Sequence, residues 1–486
     1  MSTRPVFLLF VLGCLLFFVA LGNHQLQGST EPRVAGIAME MHLYNDWVTP
    51  RLNGQPFLEK PPLSLWLDAG AIKLFGANTW AVRLASAVAG LLSMLALYGA
   101  LRKLGRPVMI AAGASVLLAT MGSYWGNVRQ VGEDSLLSLG VTLALLAFFL
   151  ANREWATQRR RSLGLWLLFA VGIAIATLSK GVLGLALPGA VIFAFLVAES
   201  LIEKRFVFAD WVWPALVTLV ALLPLAVWLG FLYQSGGSSA IKEVLWANSF
   251  GRFSGGFSAA GHFEPFYYYL GKLPQSFLPW NILVYVGLWH FCKKMRASPY
   301  MLFFSLWLLA QLTLLTLASS KRMVYLMSLT PAAAVIAVEY SAVLLERLHQ
   351  RSATSPWAQR LVRHQRTWIL GVLGLMVVSY LAVAIWVIPR EDRTESFTPL
   401  TEQIRALQDS GQRVVLFTPS ERLAGASVFY TQSVLVALQT EEQLDVFLRE
   451  SPNNVAIMER QDDPAAPLKI LKKVVVGKRA YYFMVM

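Results

Sequence analysis

The sequence predicts a polytopic α-helical membrane protein with about 11 to 13 spans and a small C-terminal α/β domain, and three observations predict it. Across 486 residues the chain is 56% hydrophobic and only 14% charged, with a mean hydropathy of +0.53, whereas a soluble domain carries close to a quarter charged residues. Apolar runs approaching the ~20 helical residues that span a hydrocarbon core recur at 6–22, 82–101, 108–121, 136–151, 163–178, 182–198, 211–233, 277–291, 301–318, 324–345 and 368–387. After the last run the composition changes, and 389–486 has ordinary charge, polar turns and short alternating elements.

The net charge of +14 could suggest nucleic acid, but its distribution excludes that reading. Basic residues gather in alternate loops: Arg4; Arg102, Lys103 and Arg106; Arg153 and Arg159 to Arg161; Lys204 and Arg205; Lys293, Lys294 and Arg296; Arg347, Arg351, Arg360, Arg363 and Arg366. Such loops stay cytoplasmic. The N-terminus is then expected inside and the C-terminus outside, with the long loops 23–80 and 234–276 facing outward. Membrane lipids are the expected surroundings. The first apolar run has no convincing signal-peptidase site and is read as an uncleaved helix. Cys14 and Cys292 are too few and too far apart in the topology for a disulfide framework or thiolate metal site.

The segment joining the first two runs is polar in an otherwise apolar chain. TEPRVAGIAMEM places Val34, Ile37, Ala38 and Met41 at helical spacing behind Glu31 and Arg33, which predicts a short amphipathic helix lying in the interface. DWVTPRLNGQPFLEK reads as two extended pieces around Asn53-Gly54, a dipeptide that accepts the positive φ values of a tight hairpin turn. Pro61-Pro62 leads into 63–75, where Asp68 and Lys73 interrupt the apolar pattern and predict an interfacial piece. Charged side chains beside a bilayer are costly unless paired or used, so Glu31, Arg33, Glu59 and Lys60 mark an outward site for an ionic substrate.

In the tail, 413–418, 433–438, 454–458, 470–476 and 479–486 read as strands, and Thr440-Glu441-Glu442-Gln443 as a capping-box helix start. The expected organisation is a membrane domain 1–388 and an outward α/β domain 389–486 with no recognisable catalytic motif.

TEPRVAGIAMEM followed by DWVTPRLNGQPFLEKPPLSLW resembles the first periplasmic loop of lipid-linked-sugar glycosyltransferases of the aminoarabinose transferase and protein O-mannosyltransferase kind, in the C-type glycosyltransferase superfamily. The likeness continues through Asp134 in GEDSLLSL, Leu178 to Gly181 with Pro188, His262 with Pro265 to Tyr269, Pro279-Trp280, and Ser320-Lys321-Arg322 with Tyr325 and Pro331. The order and spacing together carry the resemblance; each piece alone is weak. The topology drawn from charge places all these ionic residues on the outer side.

The resemblance implies a C-type glycosyltransferase fold in a bacterial inner membrane. The implied activity takes sugar from polyprenyl phosphate, without any nucleotide, to an outer acceptor: a lipid such as lipid A phosphate, a glycan or a protein. A leaving phosphate needs fixed cations, for which Arg33, Lys60, Lys180, Lys321 and Arg322 are candidates, with Tyr325 beside them; the competing reading is snorkelling lysines and a solvated loop pair. A hydroxyl acceptor needs a carboxylate base. Relatives commonly carry Asp-Glu where this chain has Thr30-Glu31, so Glu31 or Asp134 is the candidate, the alternative for Asp134 being a helix cap. Glu59 and His262 match the positions of a divalent metal, zinc or similar, although two ligands make a thin site. Tyr267, Tyr268, Tyr269 and Trp280 fit an interfacial aromatic belt. A transporter or flippase of a lipid-linked or anionic substrate is the alternative, and it lacks the internal repeat such proteins show.

Overall fold

The structure, a computed structural model, describes residues 3–158, 162–246, 263–460 and 468–486. His262 and the basic residues Arg159, Arg160 and Arg161 lie outside the described residues. Among those described, eight helices are long and apolar enough to cross a membrane, and the shorter apolar helices Thr3–Phe18, Val108–Ala119 and Asn281–Cys292 fall on the remaining apolar runs. The protein is thus an integral membrane protein by length and composition of its helices.

Two of these helices set the end at which charged groups meet. Asp134–Gln158 and Leu163–Lys180 run antiparallel, and their backbones touch at small residues. A Cβ on Gly140 would stand 2.5 Å from the Ala176 nitrogen, and one on Gly172 would stand 2.5 Å from the Ala144 nitrogen. Small residues four apart permit this approach where lipid offers no hydrophobic drive between helices. The pairing brings Asp134, first in its helix, beside Lys180, last in the other. Each charge complements the dipole of its own helix end. At the opposite end Lys103, Arg106 and Arg153 surround a second cleft with Tyr300, matched by Glu154, Glu339 and Glu199.

The polar segment builds a platform over the Asp134 end. Helix Thr30–Tyr44 is followed by a hairpin in which β1 (Arg51–Leu52) pairs antiparallel with β2 (Gln55–Pro56). Asn53 and Gly54 take φ values of 54° and 74°, as the turn chemistry predicts. The buried Glu40 carboxylate accepts from both turn amides, Asn53 and Gly54. Helix Leu63–Phe75 then leads back to the bundle, with Asp68 buried in it rather than breaking it.

The 30–44 helix departs from the expected interfacial helix, because residues 31–41 are buried except Arg33, which is nearly so. Its outer face is covered by helix Glu421–Thr431 of the C-terminal domain. A Cβ on Gly36 would fall 2.4 Å from Gly425 Cα, a backbone crossing that no larger residue admits. Below it, Val34, Ile37, Ala38 and Met41 share an apolar cluster with Ala424, Val428 and Phe429.

The C-terminal domain is a five-stranded sheet ordered β4-β3-β5-β7-β6, made of β3 (Arg413–Phe417), β4 (Val436–Leu438), β5 (Asn454–Arg460), β6 (Lys469–Val476) and β7 (Arg479–Val485). β3 runs parallel to β4 and β5, while β7 is antiparallel to β5 and β6. Thr440 and Gln443 form the reciprocal capping box of helix Glu441–Glu450. Helices Thr398–Asp409 and Glu421–Thr431 complete the layer, and neither is among the elements expected from the sequence.

Candidate functional site

At the Asp134 end, side chains from five separate stretches of chain form a ladder of alternating charge. Arg33 lies 2.7 Å from Glu421 and 3.4 Å from Glu59, and its guanidinium sits 5.7 Å over the Phe57 ring. Lys60 reaches Glu59 at 3.7 Å and makes a short contact to Glu133. Lys180 lies 3.3 Å from Glu133, contacts Asp134 closely, and rests 4.6 Å over the Tyr325 ring. Arg33, Glu59, Lys60 and Glu133 line one cleft together with Ser64 and Leu65. Asp134 and Arg322 line a neighbouring one with Thr30 and Gln130.

The hairpin explains how Glu59 and Lys60 arrive there. The turn at Asn53-Gly54 reverses the chain, Phe57 N–H donates to the Pro50 carbonyl at 2.8 Å, and Pro61 with Pro62 stiffens the exit. Glu133 precedes the helix that Gly140 and Gly172 hold against its neighbour, so it lies between Lys60 and Lys180. Burial alone would raise the Glu133 carboxyl, but the charges of Lys60 and Lys180 outweigh it and hold the group well below the usual carboxylate range.

Arg322 differs from the other cations. Its guanidinium donates to the Thr30 hydroxyl at 3.2 Å, and among the described residues no carboxylate lies within ion-pair distance of it. Its own carbonyl accepts from the Tyr269 hydroxyl at 3.3 Å, which fixes the backbone at that point. A threonine at position 30 therefore orients Arg322 without neutralising it.

Several residues expected at the site are placed differently. Glu31 is not available to an acceptor. Its carboxylate accepts from Arg83 Nε at 2.9 Å and Nη2 at 2.8 Å, and from the Gln27 and Val131 amides at 2.9 Å each, so both oxygens are saturated. Burial would raise this carboxyl; the Arg83 charge, its hydrogen bonds and the two amides hold it below its ordinary value. A base needs a vacant lone pair, and Glu31 offers none. Lys321 is buried and donates to the carbonyls of Ala318 at 2.6 Å and Glu264 at 3.1 Å, so it ties two loops rather than joining the ladder's carboxylates. Glu59 is claimed by Arg33 and Lys60, and no cluster of three or more acids, histidines or cysteines fit for a metal occurs among the described residues. His262 lies outside the described residues, so of the expected pair the structure describes Glu59 alone.

Sequence reasoning missed Arg83, Glu133, Arg129 and Glu421. Arg83 uses all its donors: besides Glu31, they reach the carbonyls of Leu21, His24 and Gln25 at 3.0, 3.0 and 2.9 Å. Arg129 caps the first helix through the carbonyls of Leu16, Phe17 and Ala20. A lone arginine at the start of an apolar run is a readable signal for Arg83, and Glu133 stands next to the candidate Asp134 in the sequence.

Asp68 is buried next to this site, and its Oδ2 has no hydrogen-bond partner among the described residues. Burial, then the negative charge of Glu133, push its carboxyl well above the usual range. The folded protein thus binds a proton that the unfolded chain releases, and this group's contribution to stability falls as pH rises above the ordinary carboxylate range. Asp68→Asn, an isostere of the protonated acid, is expected to keep or raise the melting temperature at pH 8 and to flatten its decline between pH 5 and 8. A lower melting temperature at both pH values would mean that Asp68 is charged and paired.

Comparison with known proteins agrees with this architecture. Residues 59–230 match the family model of dolichyl-phosphate-mannose-protein mannosyltransferases. An undecaprenyl phosphate-alpha-4-amino-4-deoxy-L-arabinose arabinosyl transferase of Pseudomonas paraeruginosa is 30% identical over 385 residues, covering 78% of this chain and 66% of that protein. A protein of the same description from Aeromonas hydrophila is 26% identical over 387 residues, covering 78% of this chain and 65% of its own length. The chain therefore spans a little under two thirds of the length of these relatives. The crystal structure of ArnT from Cupriavidus metallidurans bound to undecaprenyl phosphate superposes with a TM-score of 0.75 at 20% identity, covering 99% of this chain and 98% of that one. The archaeal oligosaccharyltransferase AglB of Archaeoglobus fulgidus gives a TM-score of 0.59 at 12% identity, over 94% of this chain and 69% of that one. By sequence and by fold, the chain belongs with the aminoarabinose transferase and protein O-mannosyltransferase-like family of lipid-linked-sugar glycosyltransferases.

Proposed function

We propose that this protein is an inner-membrane glycosyltransferase that transfers a sugar from a polyprenyl-phosphate donor to an acceptor on the outer side, with inversion at the anomeric carbon. The observation that carries the reading is Arg322, a cation held by a neutral hydroxyl and lining a cleft with Asp134. As the bond between the anomeric carbon and the phosphate oxygen breaks, negative charge grows on the departing polyprenyl phosphate. Fixed positive groups stabilise that charge best where water is scarce. Arg322 can receive two phosphate oxygens in its planar fork, while Lys60 and Arg33 act beside it.

The carboxylates favour one acceptor class. Glu133 and Asp134 are held by lysines, Glu59 by Arg33 and Lys60, and Glu31 is saturated. An acceptor hydroxyl needs a free base, whereas a phosphate oxygen already carries the nucleophilic charge. This supports an anionic phosphate acceptor such as that of lipid A, and the likeness to arabinosyl transferases supports a 4-amino-4-deoxy-L-arabinose donor. The gathering of Lys103, Arg106 and Arg153 at the opposite end of the bundle supports, under the positive-inside rule, a cytoplasmic assignment for that end and a periplasmic one for the ladder's end.

Mass spectrometry of lipid A and envelope glycans from cells with and without the gene tests the proposal. A pentosamine increment on lipid A phosphate that disappears in the deletion is the expected result. An increment lost only from protein or glycan would transfer the assignment to a hydroxyl acceptor.

A further inference from the structure

We infer that the C-terminal domain is a working part of the donor site, because Glu421 acts as a positioning residue for Arg33. This rests on the proposed role of Arg33 as a cation for the donor phosphate. The geometry begins with Gly425. A Cβ there would stand 2.2 Å from the Pro32 carbonyl oxygen and 2.6 Å from Arg33 Cα, so only glycine lets the helix press against the backbone that carries Arg33. Glu421 is four residues earlier, one turn along the same face. Its carboxylate accepts from Arg33 Nη1 at 2.7 Å. Ser420 fixes the start of that helix by accepting from the Leu423 amide at 3.3 Å, so the carboxylate projects from a defined position.

Arg33 is thus divided between two acids, Glu59 of the membrane domain at 3.4 Å and Glu421 of the C-terminal domain at 2.7 Å. The shorter hydrogen bond from Nη1 to Glu421 fixes where the guanidinium stands, while the longer contact with Glu59 leaves it room to turn. Without that carboxylate, Arg33 loses its shorter partner and its guanidinium is no longer held in one orientation toward an incoming phosphate. The docking of the two domains does not depend on Glu421. The Leu26 amide donates to the Tyr430 hydroxyl at 2.8 Å, and Asn53 Nδ2 donates to the Leu435 carbonyl at 2.9 Å. The apolar cluster joining Ile37 and Met41 to Val428 and Phe429 lies beneath both. The Glu421 side chain is 53% exposed, and ion pairs that open to water add little to stability.

The experiment measures donor turnover and, separately, binding of undecaprenyl phosphate alone by the purified full-length protein in detergent. Glu421→Gln is expected to raise the donor KM about fivefold, the change that ~1 kcal/mol gives, with kcat within about twofold and an unchanged melting temperature. Glu421→Asp should recover part of the affinity. In an Arg33→Gln background, Glu421→Gln should add nothing, since a residue that acts through another loses its effect when that partner is removed. If Arg33→Gln weakens lipid-phosphate binding while Glu421→Gln binds as the wild type does, the positioning role is overturned and the donor site stands. If Arg33→Gln itself leaves that binding intact, the donor-site reading has failed at Arg33. A collapse of the melting temperature in Glu421→Gln would also overturn the inference, by making the contact structural.

Discussion

Arg83→Met and Glu31→Gln are each expected to destabilise the protein by about 3–5 kcal/mol, the usual cost of removing one partner of a buried ion pair. Arg83 is 0% and Glu31 4% exposed, and the pair is joined by two hydrogen bonds. Either loss strands the other charge among apolar neighbours. The damage spreads because Arg83 also holds the carbonyls of Leu21, His24 and Gln25, which connect the first helix to the 30–44 helix. Thermal unfolding in detergent, followed by tryptophan fluorescence, should show a large drop for both variants, and lost transfer would follow from lost structure. A Glu31→Gln protein with wild-type stability and no turnover would restore Glu31 as a catalytic base. The pH dependence has a definite sign. Glu31 is held below its unfolded value, so its contribution is present above about pH 4.3, the ordinary glutamate value, and is lost as pH falls through the lower, folded-state value.

Arg322→Gln is expected to lower kcat/KM for sugar transfer by about 10²–10³-fold, the loss seen when one preorganised donor to a developing negative charge is removed. Stability should not change, since among the described residues no carboxylate depends on Arg322 for its charge. Arg322→Lys should recover only part of the rate, because an ammonium keeps the charge but not the two-pronged grip on phosphate. The measurement is single-turnover transfer from a radiolabelled polyprenyl-phosphate sugar, with size-exclusion profile and melting temperature as controls. Undiminished transfer by folded Arg322→Gln would remove this residue from the site.

These two expectations divide the roles that the sequence had assigned together. Glu31, Arg33, Lys60, Lys180 and Arg322 all read as one set, because a charge near a membrane surface looks the same in sequence whether it is locked or poised. Partnership separates them, and the partners are far away in the chain: Glu31 with Arg83, Arg33 with Glu421, Lys180 with Glu133 and Asp134. The hairpin at Asn53-Gly54 and the capping box at Thr440 were legible since each is decided by neighbouring residues. The burial of helix 30–44 was not, because its covering helix begins almost 400 residues later, at Glu421.

From sequence alone came the membrane class, the apolar runs that become helices, the strands of the tail and the family. These follow from hydropathy, from turn and cap chemistry and from the order of matched motifs, all of which act locally or along the chain. Only the tertiary structure decided which charges are consumed in holding the fold and which face a cleft. Electrostatic energy depends on distance in space and on burial, and the close glycine contacts at Gly140 with Gly172 and at Gly36 with Gly425 set those distances.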